Sequence, residues 1–120
     1  MLYQSDDIDQ IQSSLLRALA SPNRLRIVHR LGTGPCEVNE LAHDLGISQT
    51  SASQHLSAMR AVGLVEPHRD GRTVRYQLTD DEILAACGLM RAVLLRRLSR
   101  LGDLAAAVGH PIDTIAVPVR

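Results

Sequence analysis

Residues Glu37–Gly63 read EVNELAHDLGISQTSASQHLSAMRAVG, and their spacing describes two helices joined by a tight turn. Val38, Leu41, Ala42 and Leu45 recur at helical intervals. Gly46 breaks the pattern, and Ile47-Ser48 leads into a second helix whose apolar positions are Ala52, Leu56, Met59 and Val62. Gly46 suits the turn because it takes a positive φ without a Cβ penalty. The small Ala42 and Ala52 allow the two helices to cross closely. Ser48 stands where an N-cap belongs, its hydroxyl able to accept from an orphan N–H of the second helix. This is a helix-turn-helix signature.

The polar face of the second helix carries Gln49, Thr50, Ser51, Ser53, Gln54, His55 and Ser57. Solvated helix faces favour Glu, Lys and Arg, so a run of Ser, Thr, Gln and His sacrifices helix propensity. Side chains of these lengths reach base edges in a major groove: Gln pairs with the N6/N7 edge of adenine, and Ser or Thr serves several bases. The bland alternative is an ordinary Ser-rich solvated helix.

Working outward, the chain of 120 residues is one domain's worth, read as a single unit over residues 1–108 followed by a tail over 109–120. The core is aliphatic, since there is no Phe, no Trp and only 2 Tyr. The formal net charge is zero and every basic residue outside histidine is Arg, so overall charge does not advertise a nucleic-acid partner. The charges are unevenly placed: Asp6, Asp7 and Asp9 cluster early, Asp80, Asp81 and Glu82 later, and Arg69, Arg72 and Arg75 fall together. No signal peptide is readable and no apolar run approaches a membrane span, which predicts a cytoplasmic protein without a membrane partner. Cys36 and Cys87 make no disulfide framework and are expected as free thiols.

Residues 6–20 form a first predicted helix, with Ile8, Ile11, Leu15, Ala18 and Leu19 as its apolar stripe. Ser21-Pro22 caps and starts a second, running to Leu31 with Leu25, Ile27, Val28 and Leu31 available for burial; Gly32-Thr33-Gly34-Pro35 ends it. From Leu64 to Leu78 the period changes to two. Val74, Tyr76 and Leu78 share a face, Leu64, Val65 and Pro67 lie on the preceding strand, and Asp70-Gly71 predicts a type I′ hairpin turn. This hairpin is a wing, with Arg69, Arg72 and Arg75 near its tip, suited to phosphate oxygens or a narrow minor groove. Asp80 then opens the longest helical stretch, to about Val108. Ile83, Cys87, Met90, Leu94, Leu98, Leu101, Ala105 and Val108 form an apolar seam that Leu84, Leu95 and Leu104 widen. One small domain does not cover so broad a face, which predicts a homodimer built on Ile8, Ile11, Leu15, Ile83, Cys87, Met90, Leu94, Leu98 and Leu101. A twofold dimer sets two recognition helices roughly 34–36 Å apart, on a pseudo-palindromic double-stranded DNA site. The fold class is mainly α (α+β), a winged helix-turn-helix with a two-stranded wing and dimer-forming terminal helices.

The segments LRALASPNRLRIVHRL and VNELAHDLGISQTSASQHLSAMRAVGLVEPHRDGRTVRYQL, followed by a long last helix, resemble the ArsR/SmtB family of bacterial winged-helix repressors over about residues 10–105. The resemblance implies a dimeric repressor released from its operator by an inducer. Family members that hold soft metals or As(III) gather two or three thiols where this chain has Pro35-Cys36-Glu37, and one thiol cannot make a three-coordinate site. Others bind metal on the last helix through Asp and His, but here Asp80, Asp81 and Glu82 precede a helix with no His before His110. No metal site is therefore assigned, no cofactor is expected, and the inducer stays open among metals, thiol-reactive species and small organic ligands. Cys36 and Cys87 are the candidates for thiol sensing. Packing is the simpler role for Cys87 on its seam, and Cys36 is expected at the surface without a neighbouring cation in sequence.

The other histidines lack ligand spacing, and no nucleophile, paired-carboxylate or phosphate-loop arrangement offers a catalytic site, so the protein reads as a non-enzyme. The DNA-binding set is Gln49, Thr50, Ser51, Ser53, Gln54 and His55 toward bases, with Ser57, Arg60, Arg69, Arg72 and Arg75 nearer phosphates. The competing class is a winged-helix protein-interaction module without DNA, which the zero net charge favours.

Overall fold

The structure, a computed structural model, describes residues 5–108. The elements run α1 (Ser5–Leu19), α2 (Pro22–Leu31), α3 (Val38–Leu45), α4 (Gln49–Ala61), β1 (Val65–Asp70), β2 (Thr73–Leu78) and α5 (Glu82–Val108). Residues up to Leu84 form one compact unit and those from Ala85 a second. The tail over 109–120 lies outside the described residues. Among these residues no helix is long and apolar enough to cross a membrane.

Local chemistry sets the helix boundaries. Ser21 is extended and its hydroxyl accepts from the Arg24 N–H at 3.4 Å, with Pro22 opening α2 where its missing N–H costs nothing. Gly46 ends α3 in the left-handed conformation at φ 68°, ψ 33°, as the sequence requires. Ser48 caps α4, accepting from the Ser51 N–H at 3.0 Å. The core between these helices is aliphatic: Ile27, Leu41, Leu56, Met59 and Leu64 are fully buried, joined by Val28, Leu31, Leu45 and Ala52. Leu25, expected in this core, is 38% exposed, because it falls on the outward side of α2 from Ile27, Val28 and Leu31.

The hairpin departs from expectation at its tip. Asp70 pairs with Thr73, so the two-residue loop is Gly71-Arg72 and not Asp70-Gly71. Gly71 has φ 64°, while no non-glycine residue among those described has positive φ. A type I′ turn would have put Asp70 in that region too. The shift by one residue confines the positive φ to glycine, the pattern of a type II′ turn. At its base the wing gains a third partner: Cys36 N–H donates to the Tyr76 carbonyl at 3.0 Å and Tyr76 N–H to the Cys36 carbonyl at 2.8 Å. Tyr76 spends both backbone groups on Cys36, so opposite it Pro67 need not donate, and a proline fits in mid-strand. Thr79 closes the base, its hydroxyl donating to the Gly63 carbonyl at 2.6 Å.

In the second unit, α5 carries Leu89, Met90, Val93, Leu94 and Leu95 on its surface, with exposures up to 72% at Leu89. Cys87, Leu98 and Leu101 are half-buried, as is Ile83 on the first turn of the helix. The side chains of Leu104, Ala105 and Val108 lie outside the described ones. On α1, Ile8, Ile11 and Leu16 are exposed while Ala18 is buried and Leu15 half-buried.

Candidate nucleic-acid interface

Helix α4 buries Ala52, Leu56 and Met59 against the core. With successive residues about 100° apart, this anchoring turns Gln49, Thr50, Ser53, Gln54 and Ser57 to one side, where they line a single shallow, open groove. All five are exposed, as is Arg60 on the same flank one turn later. The face thus presents short, uncharged donors and acceptors at intervals of one helical turn. Such a row can follow base edges or exchange its waters for them.

Two residues of the expected reading set lie elsewhere. Ser51 is half-buried at the first turn, its N–H committed to the Ser48 cap. His55 is half-buried on the opposite flank of the buried stripe from Ser53 and Ser57, and its Nδ1 accepts from the Arg24 Nε–H at 3.2 Å. Burial and then the adjacent Arg24 charge hold the imidazole below its ordinary pKa. With Nδ1 accepting, the neutral ring carries its proton on Nε2. Arg24 itself had no signal in the sequence, since 31 residues separate it from His55.

On the wing, paired residues share a face. His68 and Arg75 stand with Glu66 and Gln77, whose side chains are bonded at 3.0 Å. Arg69 lies with Val74 on the other face, which continues through Pro67–Tyr76 to the buried Val65–Leu78 pair. Arg72 occupies the turn. The three arginines are all exposed but point three ways from the tip, a cluster able to straddle a backbone rather than grip one phosphate.

Cys36 is not at the surface. It is fully buried beneath the wing, its Sγ–H directed at the Glu37 carbonyl at 3.3 Å. The backbone pairing with Tyr76, invisible to local sequence, draws it in. Burial pushes its pKa up, and the nearby Arg30 only partly opposes this because Glu40, Asp44 and Glu37 act the other way. Arg30 is engaged by two of those acids, donating through Nε to Asp44 at 2.8 Å with Glu40 at 3.9 Å. The Cys87 thiol is likewise pushed up by burial, against a smaller pull from Arg91. Among the described residues no three His, Cys, Asp or Glu side chains gather to hold a metal ion.

Comparison with known proteins gives this geometry a lineage. A family model described as bacterial regulatory protein, arsR family, matches residues 21–67. The nodulation protein NolR of Rhizobium meliloti is 40% identical over 81 residues, 68% of this chain and 66% of NolR. The transcriptional regulator CmtR of Mycobacterium tuberculosis is 43% identical over 79 residues, 66% of this chain and 67% of CmtR. The chain thus spans about two thirds of the length of these relatives. A solved homodimeric winged helix-turn-helix DNA-binding domain of a possible ArsR-family regulator from Mycobacterium bovis superimposes with a TM-score of 0.73 at 29% identity, covering 83% of this chain and 95% of that one. By sequence match, identity and shared winged helix-turn-helix, the chain belongs to the ArsR family of bacterial regulatory proteins.

Proposed function

We propose that the protein is a homodimeric transcriptional repressor that binds a pseudo-palindromic operator in bacterial cytoplasm and leaves it on meeting an inducer. The observation that carries this reading is the groove on α4 lined by Gln49, Thr50, Ser53, Gln54 and Ser57, exposed beside an arginine-tipped wing in a domain of this family. Gln49, Thr50, Ser53 and Gln54 address bases; Ser57, Arg60, Arg69, Arg72 and Arg75 address the backbone. Ser51 acts through its place at the capped first turn, and His55 acts from behind the helix. Dimerisation uses the exposed Ile8 and Ile11 of α1 with Met90 and Leu94 of α5, extended by Leu15, Ile83, Cys87, Leu98 and Leu101, since apolar patches of this breadth seek cover.

Operator binding itself needs no cofactor. The test is fluorescence anisotropy with duplex DNA from upstream of the coding sequence, against a scrambled duplex, with and without a chelator. Tight, salt-sensitive and sequence-selective binding that survives chelation is expected, alongside a dimer in analytical ultracentrifugation. Equal affinity for both duplexes would overturn the reading in favour of an interaction module. Repeating the titration with Zn(II), Cd(II), As(III) and a thiol oxidant identifies the inducer class, with mass spectrometry of Cys36 and Cys87 reporting whether a thiol is modified.

A further inference from the structure

Arg24 belongs to α2, and its side chain bonds the end of α1 and reaches α4. Its Nη1–H donates to the Ala18 carbonyl at 3.1 Å, and its Nε–H donates to His55 Nδ1 at 3.2 Å. The Ser21 hydroxyl that caps α2 accepts from the Arg24 N–H, which fixes where the side chain starts. Ala18 is buried and both Arg24 and His55 are half-buried, so the bonds are shielded without being sealed. A guanidinium is a rigid planar fork that serves two acceptors at fixed angles, which an ammonium cannot. The groove residues Ser53, Gln54 and Ser57 lie within two residues of His55 along the same rigid helix α4, so any rotation of the helix moves both together.

We propose that Arg24 and His55 are positioning residues that set the rotation of the recognition helix relative to α1, and so tie operator reading to the helix that forms the dimer. The proposal rests on the DNA-binding reading above. The bond requires a neutral imidazole, since a doubly protonated ring has no lone pair to accept with. Arg24 of α2 is the charged group that bears on the ring; no carboxylate of α1, α3 or β1 contributes among the described residues. With its pKa already below the ordinary value of about 6.5, the ring stays neutral at pH 7. As pH falls from 6.5 the unfolded and the unbraced forms take up a proton that the braced form refuses, so bracing weakens on acidification.

The experiment pairs operator binding with nuclear magnetic resonance of the imidazole. Arg24→Ala and His55→Ala should each lower operator affinity roughly threefold to tenfold, the range of one hydrogen bond, and the double variant should lose no more than the larger single loss. His55→Asn keeps an acceptor and should recover most of the affinity while abolishing its fall between pH 7 and pH 5.5. Arg24→Lys should not rescue. In the free protein, Arg24→Ala should move the His55 titration toward the ordinary imidazole value with the fold retained. Additive losses, an unchanged acid profile in His55→Asn, or an unmoved His55 titration would each overturn the proposal. Wild-type protein that binds no selected duplex overturns the DNA-binding reading instead, and the titration arm still decides whether Arg24 braces His55.

Discussion

Removing Arg72 from the wing tip tests whether the arginine cluster meets DNA. Arg60, Arg69, Arg72 and Arg75 are exposed on the groove side of α4 and around the hairpin tip. If each neutralises one phosphate, a dimer neutralises eight, and log K should fall with log salt at a slope of about −7, taking about −0.9 per phosphate. Arg72→Ala deletes one contact per protomer and should flatten the slope to about −5.4. Between 50 and 200 mM salt the wild type would then lose roughly 10⁴-fold in affinity and the variant roughly 10³-fold. Because Arg72 is exposed in the turn, stability should stay within about 0.5 kcal/mol of wild type. The assay is fluorescence anisotropy over a salt series, with operator and scrambled duplexes in parallel, and both should lose equally. An unchanged slope would refute the phosphate assignment of Arg72, and a loss confined to the operator would make it a base reader.

Gln54→Ala should cost about 1–3 kcal/mol of discrimination between operator and scrambled DNA while leaving scrambled-DNA affinity and the salt slope alone, read in the same titrations. Gly46→Ala introduces a Cβ that meets nothing within 4 Å, so its cost is backbone strain alone. That is about 1–2 kcal/mol, less what the stiffer unfolded chain returns; urea denaturation should show Gly46→Asn milder than Gly46→Ala, and equal losses would point away from strain. Leu56→Ala, at a site 1% exposed, should cost about 2–5 kcal/mol in the same denaturation. Native-state labelling with a disulfide reagent at pH 7 should modify Cys87 before Cys36. Raising the pH should speed both, because burial holds each thiol in its protonated form.

Features written in neighbouring residues were legible from the sequence. Ser21-Pro22, Gly46 and Ser48 act through backbone atoms three or four positions away, and each does what its chemistry required. The aliphatic stripes of α3 and α4 likewise fix which side of the recognition helix is left to solvent. What local pattern missed depends on partners distant in the chain. Cys36 is buried where residue 76 pairs with it across 40 positions, and the half-buried His55 finds its partner, Arg24, across 31. The hairpin turn slipped by one residue because the Asp70-Gly71 signal does not say which of its two residues ends the strand. The structure decides it by sparing Asp70 a left-handed φ.

The pairing of Tyr76 with Cys36 also governs what the wing offers to its surroundings. β2 is bridged at Tyr76 on its outer side, while β1 presents its outer edge along the sheet. Since Tyr76 turns its amide and carbonyl to Cys36, the opposing Pro67 turns its nitrogen outward, and the edge shows a position without a donor, bordered by Glu66, Arg69 and Asp70. Proline and charge at an open edge are what keep strands from pairing between molecules. The wing is thereby guarded against edge-to-edge pairing with another copy, and the guard sits in a residue outside the lining of the α4 groove.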